Sequence, residues 1–154
     1  MNLNKIIIKA LSTFFYIGYL PFIPGTFGSI AGVFLFWFLK DNIQVYMLSV
    51  IFLIILGFSI AGRAERLFNI KDASCIVIDE VSGMLLSLIF IPYDIKLIII
   101  GFFLFRLLDT LKPCPAGALE ELKGSIGIMG DDIVAGLYTN IILQAVLRLA
   151  SFKT

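Results

Sequence analysis

Five carboxylates, Asp79, Glu80, Asp109, Asp131 and Asp132, stand at the ends of segments otherwise made of Ile, Leu, Val and Phe. A carboxylate beside hydrocarbon is costly unless it is paired, hydrated or bound to a cation, so such a group marks a candidate site. Any one of them alone reads equally well as a helix cap, because an acidic residue in a first turn favours the helix dipole. Five on one side of the chain's topology argue for more than capping. The chain has no histidine and only two isolated cysteines, Cys75 and Cys114, which removes the commonest general base and the soft metal ligands. What remains is oxygen chemistry: carboxylates holding a hard ion such as Mg²⁺ together with water and phosphate oxygens. Arg106, Asp109 and Lys112 recur every three residues and so share one helix face. A guanidinium and an ammonium flanking a carboxylate suit a phosphate beside a metal, with an ion-pair ladder as the plainer alternative.

Two Gly-rich segments lead into apolar runs: Pro24-Gly25-Thr26-Phe27-Gly28-Ser29, and residues 124–130, Gly-Ser-Ile-Gly-Ile-Met-Gly. Free amides at a helix start, with glycine allowing close approach, can hold a phosphate, which makes Thr26, Gly28 and Ser29 candidate substrate contacts. Gly28 and Gly32, and Ala135 and Thr139, also put small residues four apart, a spacing that serves close helix packing. Cys114 is followed by no arginine at the spacing of a phosphate-binding loop, and Cys75 reads as packing. No Asp-x-Asp pair supports an aspartyl-phosphatase.

The elements that must position these residues are set by composition. Hydrophobic residues make up 60% of the chain, charged residues 15%, and the mean hydropathy is +1.03. Soluble domains carry about 25% charged residues, so this surface is built for lipid. The net charge of +1, without a basic tract, gives no case for nucleic acid. Residues 43–62 form an uncharged run long enough to span; helices are predicted also over 26–39, 81–91, 95–111 and 131–150. The expectation is an all-α polytopic membrane protein of about five short crossings, a single domain over residues 1–154, with a retained N-terminal segment along the interface. A Gly-rich loop is expected over 112–130, with Asp131 and Asp132 opening the last helix. Eight of the twelve Lys and Arg fall on the N-terminal side of that topology, which the positive-inside rule assigns to the cytoplasm together with the carboxylates.

Four motifs in order carry a resemblance: the Pro24–Ser29 segment; residues 76–84, Ile-Val-Ile-Asp-Glu-Val-Ser-Gly-Met; residues 105–115, Phe-Arg-Leu-Leu-Asp-Thr-Leu-Lys-Pro-Cys-Pro; and residues 127–136, Gly-Ile-Met-Gly-Asp-Asp-Ile-Val-Ala-Gly. Together they resemble the phosphatidylglycerophosphatase A family over nearly the whole chain. Ala73 and Ser125 depart from the family pattern, both at positions expected in loops. The resemblance implies a Mg²⁺-dependent enzyme of the bacterial inner membrane that hydrolyses phosphatidylglycerophosphate to phosphatidylglycerol and phosphate. Metal-assisted phosphomonoester hydrolysis would place Asp79, Glu80, Asp131 and Asp132 on Mg²⁺, with Asp109 as a fifth catalytic carboxylate. Arg106, Lys112 and the amides around Thr26, Gly28 and Ser29 would neutralise the phosphate. Attack by water and a phospho-aspartate route both stay open. The rival reading, a small transporter or channel using the same carboxylates, predicts polar residues at mid-depth, where this chain has Ile, Leu and Phe.

Overall fold

A computed structural model describes residues 3–151, which hold seven α-helices and no strand. They are α1 (Leu3–Ser12), α2 (Pro24–Leu39), α3 (Ile43–Phe68), α4 (Ile78–Ser87), α5 (Ile95–Leu111), α6 (Ala116–Glu120) and α7 (Ser125–Ser151), with a 3₁₀ turn at Ile17–Tyr19. Local chemistry explains several boundaries. Pro24 starts α2 because its fixed φ suits the first helical position and its missing N–H would be unpaired there anyway; the helix therefore begins two residues before the predicted Thr26. Asn42 caps α3 by accepting from the Gln44 and Val45 amides, and Asp94 caps α5 through the Lys96 amide. α3 ends at Asn69 and α5 at Lys112, each in the left-handed conformation common just beyond a helix.

The expected loop over 112–130 is corrected in two ways. It contains α6, and α7 begins at Ser125, so Gly127 and Gly130 are helical and Asp131 and Asp132 lie in the second turn. The reason is packing: a Cβ at Gly130 would stand 3.2 Å from Leu119 of α6, and Gly127 lies against the Leu122 carbonyl. The two glycines let α7 start beneath α6, outweighing their poor helix propensity. Ser125 Oγ accepts from the Gly62 amide at 2.8 Å, fastening the start of α7 to α3.

α4 is the centre, flanked by α2 and α7, with eight of its ten residues buried. Glycines set these approaches: a Cβ at Gly32 of α2 would stand 2.8 Å from Met84, and one at Gly136 of α7 would stand 2.6 Å from the Gly83 carbonyl oxygen. Phe36, Tyr46, Val81, Met84, Leu88 and Phe105 form the main core, and the Tyr46 hydroxyl donates to the Leu85 carbonyl. Leu48, Phe52 and Ile55 of α3, Phe34 and Trp37 of α2, and Phe103 of α5 are exposed, an arrangement that suits a lipid solvent. Two helices, α3 and α7, are long and apolar enough to cross a membrane. α2 and α5, at 16 and 17 residues, reach about 25 Å, and α4, at 10, only about 15 Å.

Candidate active site

Four helix segments and one loop meet at the end of the bundle where α4 begins. The turn before α4 is fixed first: the Ile76 amide donates to the Ala73 carbonyl and the Val77 amide to Ser12 of α1. Val77 and Ile78 are fully buried, so the first turn of α4 cannot drift, and it carries Asp79 and Glu80. The Gly83–Gly136 crossing brings the second turn of α7, with Asp131 and Asp132, beside them. The last turns of α5 add Arg106 and Asp109, and Lys112 follows at its end. These residues line a cavity of about 420 Å³, with Gly25 of α2 and Asp72 of the 69–77 connection on its wall.

Asp79, Glu80 and Asp132 each offer an oxygen, and the three lie within 4.8 Å of one another. Asp79 and Asp132 are only 4% exposed, so solvent does not screen their mutual repulsion. Glu80 Oε2 and Asp132 Oδ1 are buried with no hydrogen-bond donor from the protein. Asp79 Oδ1 accepts from the Glu80 amide at 3.1 Å. Buried acceptors are normally satisfied, and three converging carboxylates, two of them with an oxygen that lacks a donor, fit a hard divalent cation. Asp131 stands apart: its Oδ2 accepts from Lys112 Nζ at 2.8 Å, while its Oδ1 is buried without a protein donor. Neighbouring helical residues point about 100° apart, so Asp131 and Asp132 face different partners.

The cationic half of the cavity is equally organised. Arg106 is ion-paired with Asp109 at 2.7 Å, and Lys112 bridges Asp131 and Glu120. Burial opposes the charged form of Lys112, but the hydrogen bonds it donates to Asp131 and Glu120 outweigh it and hold the ammonium above its ordinary range. Asp72 is also shifted upward: burial, then the nearby Asp131 carboxylate, push its carboxyl above the usual range. Glu65 of α3 holds this loop in place, accepting from the Asp72 amide at 3.2 Å and from the Gly124 amide at 3.1 Å.

Seven residues singled out from sequence therefore line one cavity: Asp79, Glu80, Asp109, Asp131, Asp132, Arg106 and Lys112. Thr26, Gly28 and Ser29 do not line it. The Thr26 and Phe27 amides donate to the Ile23 carbonyl, and the Ser29 hydroxyl returns to the Gly25 carbonyl. Gly28 serves packing, since a Cβ there would stand 3.0 Å from Val77. Gly25 is the member of that motif on the wall, directly against Glu80 and Arg106. Asp72, Glu120 and Glu65 had no periodic signal to mark them; their roles come from contacts between segments distant in sequence.

An all-helical, membrane-associated bundle with an acidic triad and two cations in one terminal cavity is the architecture of an enzyme acting where lipid meets water. The profile of the family Phosphatidylglycerophosphatase A matches residues 10–147, and the chain belongs to that family of phosphatases. It is 37% identical over 130 residues to the Escherichia coli (strain K12) Phosphatidylglycerophosphatase A, covering 82% of this chain and 75% of that one. It is 32% identical over 127 residues to the Haemophilus influenzae protein of the same name, covering 80% and 78%. A Bacteroides thetaiotaomicron protein provisionally named phosphatidylinositol-3-phosphatase is 33% identical over 147 residues, covering 90% and 91%. No solved structure is a significant match. Family membership gives no support to the transporter reading.

Proposed function

We propose that this chain hydrolyses phosphatidylglycerophosphate to phosphatidylglycerol and phosphate, with Mg²⁺ held by Asp79, Glu80 and Asp132. The observation that carries the reading is the pairing, in one cavity, of three converging carboxylates, Asp79 and Asp132 buried and Glu80 partly so, with Arg106 and Lys112. A bound divalent ion would supply Lewis-acid polarisation and a more acidic water. The chain's own residues do the rest. Arg106, oriented by Asp109, offers a planar fork to the phosphate oxygens, and Lys112, kept charged by Asp131 and Glu120, offers a point charge. Both stabilise charge that moves towards the leaving oxygen as its bond to phosphorus breaks. The Bacteroides relative supports a second reading on the same chemistry, a phosphoinositide monoester, which differs only in the head group the cavity must admit.

The test is phosphate release by purified protein in mixed micelles of each lipid, with Mg²⁺ or with chelator. Asp132→Asn should fold normally, lose most activity at limiting Mg²⁺ and recover partly at high Mg²⁺. Wild-type activity in chelator, or an Asp132→Asn variant unaffected at limiting Mg²⁺, would remove the metal from the reading.

The same reading puts the domain in the bacterial inner membrane with its cavity facing the cytoplasm. α2, α3, α5 and α7 cross, and α4 with residues 88–94 makes the fifth passage, its half-length helix sheltered inside the ring. This is supported by the far-end cavity, where residues 88–93 meet Lys40 and Ile43. The Lys and Arg excess at the catalytic end supports the orientation. In a cysteine-depleted background, a thiol replacing Lys123 should label from the cytoplasmic side and one replacing Asn42 from the other. The reverse pattern overturns the orientation.

A further inference from the structure

The catalytic cavity does not end the seam between α2 and α5. These two helices are antiparallel, and each is anchored elsewhere, α2 on α4 and α5 on α7, so they touch only sparingly and leave a furrow. Two adjoining cavities of about 390 and 250 Å³ occupy it, sharing Ile30, Val33, Ile95 and Ile98. Its floor is Ile98, 5% exposed, and its walls include the exposed Phe34 and Trp37 of α2 and Ile99 and Phe103 of α5. At the other end of the same two helices stand Gly25 and Arg106, on the wall of the catalytic cavity.

We infer that this furrow is the binding site for one acyl chain of the substrate lipid, and that the lipid reaches the active site sideways from the bilayer between α2 and α5. The inference rests on the lipid-phosphomonoester reading above and adds the site that recognises the chain. Continuity commits the furrow to this occupant: one pair of helices carries the phosphate-binding end and the apolar channel. Twelve residues separate Gly25 from Trp37, about 18 Å of helix, against about 15 Å for the hydrocarbon of one leaflet. A lipid with its phosphate at Arg106 therefore lays its chain along the furrow towards the bilayer centre. The exposed Leu48, Phe52 and Ile55 stand on the outer side of α3, away from the furrow lining, and meet bulk lipid.

Two measurements test this. Val33→Trp fills the furrow at one of the four residues that both cavities share. It should lower kcat/KM at least tenfold for long-chain phosphatidylglycerophosphate and change it less than twofold for the same head group on butanoyl chains, while Leu48→Trp affects neither. Equal loss on both substrates, or loss on neither, overturns the inference. Unmodified protein is also irradiated with a phosphatidylglycerophosphate carrying a diazirine beside the terminal methyl. Labelling of residues 34–37 and 95–99, displaced by unlabelled phosphatidylglycerophosphate and not by phosphatidylglycerol, is expected. Labelling spread equally over α3, or photolinks between two copies through this furrow, overturns it. If wild type hydrolyses neither chain length but the labelling is specific, the phosphatase reading fails and the chain site stands.

Discussion

Gly136→Ala tests whether the α4–α7 crossing sets the active-site geometry. A Cβ at 136 would stand 2.6 Å from the Gly83 carbonyl oxygen and 3.2 Å from its carbon. Both are backbone atoms of a largely buried helix, so no side chain can rotate aside. Restoring ordinary contact at 3.4 Å opens the helices by about 0.8 Å. That displacement separates Asp79 and Glu80 on α4 from Asp132 on α7, whose oxygens lie within 4.8 Å. Misplacement of reacting groups by about 1 Å can lower rates roughly 100-fold, and overpacking costs about 1–3 kcal/mol. The expected variant is inserted and helical, less resistant to denaturation in detergent, and down in kcat by about two orders of magnitude. Gly101→Ala is the control, because its Cβ would meet only the Leu143 and Leu88 side-chain methyls, at 3.0 and 3.3 Å. Phosphate-release kinetics of both variants decide the matter: a Gly136→Ala enzyme within threefold of wild type would refute the claim that this contact positions the carboxylates.

Arg106→Lys keeps a charge but loses the fork that pairs with Asp109 and reaches the phosphate, so kcat/KM should fall roughly 10- to 100-fold; near-normal kinetics would reduce the arginine to an interfacial anchor. Glu65→Ala removes the acceptor of the Asp72 and Gly124 amides, at about 1 kcal/mol or roughly fivefold per bond if they hold the cavity wall. Glu65→Gln, which can keep one of the two bonds, should fall between; equal activity across the three proteins would mean the loop is held by other contacts.

The membrane setting, the helical class and seven residues of the cavity were legible in the sequence because each depends on local or compositional physics. Hydropathy needs no partner to be read, the three-residue spacing of Arg106, Asp109 and Lys112 fixes their common face wherever α5 packs, and Asp94 with Pro113 bounds that helix from within. Tertiary structure alone decided the rest. Gly127 and Gly130 look like loop residues by propensity, yet they are helical because α6 and the Leu122 carbonyl lie against them, and this moves Asp131 and Asp132 from a helix cap into a buried second turn. Gly28 and Ser29 resemble a phosphate loop, but an early start at Pro24 spends their surroundings on packing and leaves Gly25 at the cavity. Asp72, Glu65 and Glu120 join the site through contacts spanning many residues, and the furrow beside it exists because α2 and α5 are each held by a different helix. Such pairings depend on which surfaces meet across the bundle, a relation that no local pattern in one strand of sequence encodes.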